Sequence, residues 1–139
     1  MTNSNHLTTI SIVSTHSDVV IYEISSGIAT IILNRPENKN ALSVEMVNAI
    51  GDCFDRAQND PSARVILFTN SGNTFCAGAD LKATAPGVVQ PESRHTFTKI
   101  LDDIMESPKP VIGSIAGHCT GGGVGLAAAF DISVAADDI

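Results

Sequence analysis

Two stretches, Ala77-Gly78-Ala79-Asp80 and Gly121-Gly122-Gly123, consist almost wholly of residues with little or no side chain. Each follows a predicted buried strand and precedes a predicted helix. Missing side chains let a ligand approach the backbone, and amides at a helix amino terminus point outward with partial positive charge. Two such loops brought together would form an oxyanion hole. A single glycine run would imply no more than a tight turn or close helix packing, so it is the pair that points to chemistry. Asp80 has two roles open to it: capping the turn that follows, or moving a proton.

Other constellations fail on order or spacing. Gly117-His118-Cys119-Thr120-Gly121 imitates a nucleophile elbow with Cys119 as nucleophile. In that architecture an acid and then a histidine follow the nucleophile, yet no histidine follows position 118, which leaves packing and turn roles for both residues. A dinucleotide-binding loop starting at Gly121 would need a glycine at position 126, which is Leu126. No Gly-Lys-Ser/Thr follows the glycines. His6, His16, His95 and His118 lack helical i, i+4 pairing, so no metal site is expected.

The elements that must position the two loops alternate along the chain. Val19 to Ile24 and Ile28 to Leu33 read as strands around a Ser25-Ser26-Gly27 hairpin turn, and Asn34-Arg35-Pro36 ends the second. From Ser43, a predicted N-cap, Val47, Ile50, Phe54 and Ala57 share a helical face as far as Asn59-Asp60-Pro61. Val65 to Thr69 is a continuous apolar run, as in a strand covered on both faces. Phe97, Ile100, Leu101, Ile104 and Met105 have helical spacing that stops at Ser107-Pro108. Val111 to Ala116 reads as a second buried strand, Leu126 to Phe130 as a short helix, and Ile132 to Ala135 as a last strand. The order ββα, βα, βαβ argues for an α/β domain.

With 139 residues, 43% apolar and 17% charged, the chain is long enough for one domain with its own core. A net charge of -7 with only 8 Lys and Arg argues against nucleic-acid binding. Cys53, Cys76 and Cys119 are odd in number and scattered, which fits a reducing cytoplasm better than a disulfide framework. The polar, Ser/Thr-rich start has no signal-peptide character, and no apolar run approaches a membrane span.

Three segments make a resemblance specific: ILNRPENKNAL (Ile32 to Leu42), FCAGADLK (Phe75 to Lys82) and PVIGSIAGHCTGGGVGLAAAFDI (Pro110 to Ile132). In this order and spacing they resemble the signatures of the crotonase family, the enoyl-CoA hydratase/isomerase group. The resemblance implies an α/β superhelix of ββα units, of which residues 18–139 would form the amino-terminal half, a partial acyl-CoA-binding domain behind a flexible polar tail over 1–17. It implies that the backbone N–H groups of Ala79 and Gly122 polarise a thioester carbonyl and hold the enolate formed from it. CoA would lie along 38–42 and 77–82, so that Lys39, Ala41, Ala77, Ala79, Asp80, Leu81, Lys82 and Gly122 meet the substrate. Lys39 and Lys82 are candidates for its phosphates, with ordinary solvated lysines as the alternative. The implied partner is an acyl-CoA thioester, and no separate cofactor is expected.

The sequence also departs from that pattern. Hydratases of the family commonly carry a glutamate two residues after the glycine triplet, where Gly125 stands here, and a second further on, past Ile139. Ala128 and Phe130 replace the usual apolar and small residues. Full-length members form trimers or hexamers through a region this sequence lacks. Hydration or double-bond isomerisation of an enoyl-CoA is the implied reaction, and a truncated, catalytically inactive acyl-CoA-binding remnant is the alternative.

Overall fold

A computed structural model describes residues 19–139. The tail anticipated over residues 1–17 lies outside the described residues. Strands β1 (Val20–Ser25) and β2 (Ile28–Leu33) form an antiparallel hairpin. Its two-residue turn has positive φ at both Ser26 and Gly27, the backbone that matches the twist of the flanking strands. β2 continues in parallel to β3 (Val65–Asn70), then β5 (Val111–Ile115) and β7 (Ile132–Ala135), giving one sheet in the order β1-β2-β3-β5-β7.

Helix α1 (Val44–Asn59) starts where the sequence places its cap, with Ser43 Oγ accepting from the Met46 amide. Met46, Ile50, Phe54 and Ala57 face inward, and the helix packs on β1 and β2. Helix α2 (Phe97–Met105) is capped in the same way by Thr96 and buries Ile100 and Ile104. Phe68 stacks on Phe130 with centroids 5.0 Å apart, while Phe75 meets Phe130 edge-on. Phe130 fits because Gly113 of β5 lies under it: a Cβ there would come within 2.3 Å of the ring.

Two differences from the sequence-based expectation bear on the site. The segments expected as loops around 73–80 and 117–121 contain short strands, β4 (Thr74–Cys76) and β6 (His118–Cys119), which pair in parallel as a second, two-stranded sheet. Strands of two or three residues show no alternation, so periodicity cannot reveal them. The chain thus repeats a long strand, a short strand and a helix: β3-β4-α2, then β5-β6 and a third helix, α3 (Gly122–Ala129). Helix α3 starts four residues before the predicted Leu126, because tertiary packing overrides the poor helix propensity of its glycines.

Candidate functional site

The first loop leaves β4 and is tied to the segment before α1. Ala77 N–H donates to Lys39 O (3.0 Å), Leu42 N–H to Gly78 O (2.7 Å) and Asp80 N–H to Leu42 O (3.3 Å). These bonds make a strand-like bridge between Leu42 and Ala79. The segment can reach the loop because Lys39 and Asn40 take left-handed φ values of 52° and 50° after the single 3₁₀ turn Pro36–Asn38. Asn tolerates that conformation, and Asn40 is fully buried. Its Oδ1 accepts from the Arg35 amide (2.7 Å) and its Nδ2 donates to the carbonyls of Thr74 (2.7 Å) and Ser71 (3.2 Å).

Asp80 is buried with every carboxylate contact accounted for by a donor. Asn38 Nδ2 donates to Oδ2 (2.8 Å), and the amides of Lys82 and Ala83 donate to Oδ1 (3.0 Å each). These donors, the Asn38 amide first, hold the Asp80 carboxyl below the ordinary aspartate range. The group is therefore an ionised turn cap at neutral pH. The helix expected from Phe97 begins there, but residues 81–84 form turns and the loop does not abut its amino terminus, so the helix-end amides expected of both loops are absent from this one. Helix-end charge is available at Gly122, not at Ala79.

The second loop joins β6 to α3 directly behind the first. Thr120 N–H donates to Cys76 O (3.0 Å) and Thr120 Oγ1 to Ala77 O (3.1 Å). Gly121 has φ 53° and ψ −125°, outside the reach of residues with a Cβ. Gly123 presses on β4 so closely that a Cβ would lie 2.4 Å from Cys76 O. The two loops touch at Gly78, φ 86°, where a Cβ would stand 3.0 Å from the Gly122 nitrogen. Gly123 and Val124 donate to Thr120 O and Gly121 O, whereas the N–H groups of Ala79 and Gly122 meet no acceptor among the described residues.

A surface cleft of about 310 Å³ opens beside the first loop. Lys39, Ala41, Ala77, Ala79, Asp80, Leu81 and Lys82 all line it, joined by Glu37 and Asn38. Gly122, the eighth residue singled out from the sequence, lies outside the cleft lining, against Gly78. Sequence reasoning placed Asn38 and Asn40 only in the segment expected along CoA and missed their positioning roles, because their partners lie 42 and 34 residues away in the chain and leave no local signal. It also missed Phe97 and Leu101, which pack against the glycine face of α3: a Cβ at Gly125 would meet the Phe97 ring at 3.7 Å and Leu101 Cδ1 at 3.8 Å.

The cysteine-nucleophile arrangement finds no support. His118 and Cys119 are consecutive on β6, so their side chains point to opposite faces. Burial pushes the Cys119 thiol up, which keeps it protonated at neutral pH. Among the described residues no group of three or more His, Cys, Asp or Glu side chains could hold a metal ion. No helix among them is long and apolar enough to cross a membrane.

Comparison with known proteins converges on one family. The family model described as enoyl-CoA hydratase/isomerase matches residues 23–139. A protein named probable enoyl-CoA hydratase from Rhodobacter capsulatus is 38% identical over 117 residues, 83% of this chain and 45% of its own length. A protein of Mycobacterium leprae named probable enoyl-CoA hydratase echA6 is 36% identical over 117 residues, 82% of this chain and 46% of its own. Among solved structures, human enoyl coenzyme A hydratase domain-containing protein 3 superposes with a TM-score of 0.77 at 29% identity, over 86% of this chain and 48% of that one. An enoyl-CoA hydratase/isomerase from Mycobacterium paratuberculosis gives a TM-score of 0.72 at 30% identity, over 85% and 48%. The chain spans a little under half the length of these relatives.

Proposed function

The chain belongs to the enoyl-CoA hydratase/isomerase family, and from that premise we propose that it binds acyl-CoA thioesters and stabilises the enolate form of the thioester. One observation carries this reading: two amides without acceptors, Ala79 and Gly122, stand on loops in van der Waals contact through Gly78. A thioester oxygen accepting from both gains most when negative charge has developed on it. Fixed donors then favour the transition state over the ground state, and one such donor is typically worth roughly 3 kcal/mol. The cleft beside Ala79 would take the CoA moiety, with Lys39 and Lys82 toward its phosphates. Asp80, ionised and fully engaged, keeps the loop in shape and carries no proton.

A second reading is favoured by Gly125. The face of α3 one turn beyond Gly122 carries no side chain and is covered by Phe97 and Leu101, so no carboxylate is supplied there to orient water. On this reading the chain binds acyl-CoA and polarises its carbonyl without turning it over. General acid and base steps are each worth roughly 10²- to 10⁴-fold, so losing them separates binding from hydratase activity.

Titration calorimetry with butyryl-CoA, free CoA and butyrate tests the shared premise: the thioester binds tightest, and Lys39→Ala with Lys82→Ala weakens it, most at low salt. Equal affinity for thioester and free acid would overturn it. The oxyanion role is read from the infrared carbonyl stretch of bound butyryl-CoA. Gly122→Ala and Gly122→Pro both add a Cβ beside the flexible end of Leu42, 2.7 Å away, but only proline removes the N–H. The shift to lower frequency should survive in the first and shrink in the second. Loss of crotonyl-CoA absorbance then separates the two readings, with little turnover by the unmodified chain expected on the second.

A further inference from the structure

We propose that Cys76 and Cys119 close into a redox-controlled disulfide that reshapes both loops of the site, a modification site at the base from which those loops leave. β4 and β6 pair in parallel with Cys76 and Cys119 as registered partners. Cys76 immediately precedes Ala77, and Cys119 immediately precedes Thr120-Gly121-Gly122. Both are free thiols. Registered partners leave a sheet on the same face, with neighbouring strands about 4.8 Å apart. That lies inside the Cα separation of about 4.4–6.8 Å that a disulfide spans. Cys76 is fully buried in the core, and Cys119 packs against the same core while only half-buried. The pair thus has one thiol that a small oxidant can reach and one that its neighbour can reach.

Closing the bond acts on the loops directly. The Cβ atoms of a disulfide stand about 3.8 Å apart, closer than the strands, so the ends of β4 and β6 must draw together. β4 can yield there, since its register already shifts between Thr74 and Cys76. Cys76 Sγ accepts from the Gly78 amide (3.4 Å), and turning the sulfur toward Cys119 releases that bond. Gly78 is the point where the first loop touches the Gly122 nitrogen. Gly123 is seated so closely on Cys76, a built Cβ lying 2.9 Å from the Cys76 Cβ, that the start of α3 follows any shift of the cysteine. The bond itself needs only the two strands; its effect on a bound thioester rests on the acyl-CoA reading above.

The oxidant that completes the chemistry is hydrogen peroxide. The Cys119 thiolate attacks one of its oxygens, the O–O bond breaks, and Cys119 becomes a sulfenic acid while the other oxygen takes a proton and leaves as water. Cys76 gives up its proton and attacks the Cys119 sulfur; the S–S bond forms, the S–O bond breaks and a second water leaves. Two thiols and one peroxide become one disulfide and two waters, with two electrons passing from sulfur to oxygen. Burial pushes the Cys76 thiol up to about 11, with the Cys119 group adding to the rise, and burial raises Cys119 as well. Thiols with little thiolate react slowly. A pair whose reduced form gains nothing from thiolate stability also favours the disulfide at equilibrium. The pair therefore answers sustained oxidation and ignores brief exposure.

The test is prolonged treatment of the whole chain with hydrogen peroxide, alkylation of the remaining thiols, and mass spectrometry of the digested peptides. The expected product is a peptide pair joined through Cys76 and Cys119, two hydrogens lighter than its parts and released by dithiothreitol. It should form equally in Cys53→Ser. Amide hydrogen exchange should change at 77–80 and 120–123 on oxidation and return on reduction. Butyryl-CoA affinity should fall about tenfold with it, as for one lost hydrogen bond. Cys76→Ala and Cys119→Ala should show neither response, and if circular dichroism finds one unfolded the other carries the comparison. Oxidation that stops at Cys119, a bond to Cys53 or to a second molecule instead, or a joined pair with unchanged exchange at both loops would each overturn the proposal. A reduced chain that binds butyryl-CoA no more tightly than free CoA removes the acyl-CoA reading, while the joined peptide and the loop exchange still decide the disulfide.

Discussion

The two loops that meet at Gly78 are shaped by opposite means. Residues 77–80 are held by polar atoms: the Asn38 amide on Asp80, the bridge to Leu42, and Asn40 pinning the segment that the bridge leans on. Residues 121–123 are held chiefly by the absence of atoms, with Gly123 seated on Cys76 O, Gly122 under Leu42 and Phe97, and Gly121 in a backbone conformation closed to other residues. A loop set by hydrogen bonds can be loosened by degrees and by pH. One set by close packing fails by clash, so the same glycine-rich appearance in sequence conceals different sensitivities.

The largest effect should come from Gly123→Ala. Its Cβ would need to occupy space 2.4 Å from a backbone oxygen, which only a shift of β4 against α3 can relieve. Overpacking typically costs about 1–3 kcal/mol and occasionally more, and a backbone neighbour, which cannot swing aside as a side chain can, places this case at about 3 kcal/mol or above. Chemical denaturation should show it as a lowered midpoint with an unchanged slope. A smaller loss would mean that β4 and α3 yield more easily than the packing implies. Next comes Asn40→Ala, which strands the Arg35 amide and the Thr74 carbonyl and places alanine at φ 50°. The loss should be about 2–3 kcal/mol. Amide hydrogen exchange should locate the damage in residues 35–42 and 77–80 and leave α3 protected, which would separate the two loops experimentally.

Legibility in the sequence follows the same division. β2 and β7 are bounded as the apolar runs predict, and α1 begins after Ser43, because long periodic or continuous patterns and a side-chain cap are local properties. The Ala77–Asp80 and Gly121–Gly123 stretches stand out through composition, and their contact at Gly78 is what two small-residue loops suggest. What stayed hidden depends on partners far along the chain. Asn38 and Asp80 are 42 residues apart, β4 finds β6 only across α2, and Phe130 is explained by a glycine on another strand. Nothing around position 97 in the sequence reveals that its ring faces Gly122.

A third, opposite effect is expected two residues from the most damaging one. At Gly125 an added Cβ meets Phe97 and Leu101 at 3.7 and 3.8 Å, ordinary contact distances. Gly125→Ala therefore removes a helix-interior glycine without a clash, and the propensity difference should stabilise the chain by about 1 kcal/mol. A thermal melt of Gly123→Ala beside Gly125→Ala sharpens the comparison: the same added methyl, on the same helix, with opposite sign. Destabilisation by Gly125→Ala would show that Phe97 is seated more tightly on α3 than those distances imply.

The smallest effect is the pH dependence specific to the polar loop. Asp80 has a folded-state pKa below its unfolded value, owing first to the Asn38 amide and then to the turn amides. A depressed carboxyl binds fewer protons folded than unfolded, so its contribution is fully present above the unfolded aspartate value of about 3.9 and is lost as pH falls through the lower folded value. Asp52 and Asp60 are also held low, so the whole protein's acid limb is shared among several groups. The difference between unmodified chain and Asp80→Asn isolates one of them. That difference should favour the unmodified chain at neutral pH and narrow below pH of about 4. Since Asn38 cannot donate equally well to an uncharged amide, Asn38→Ala should remove part of the same pH-dependent difference, and the double variant should lose less than the sum of the two. Gly123→Ala should shift stability by the same amount at every pH, because no proton is bound or released at its clash. A pH-independent cost for Asp80→Asn would place both loops in the same class and remove the distinction between them.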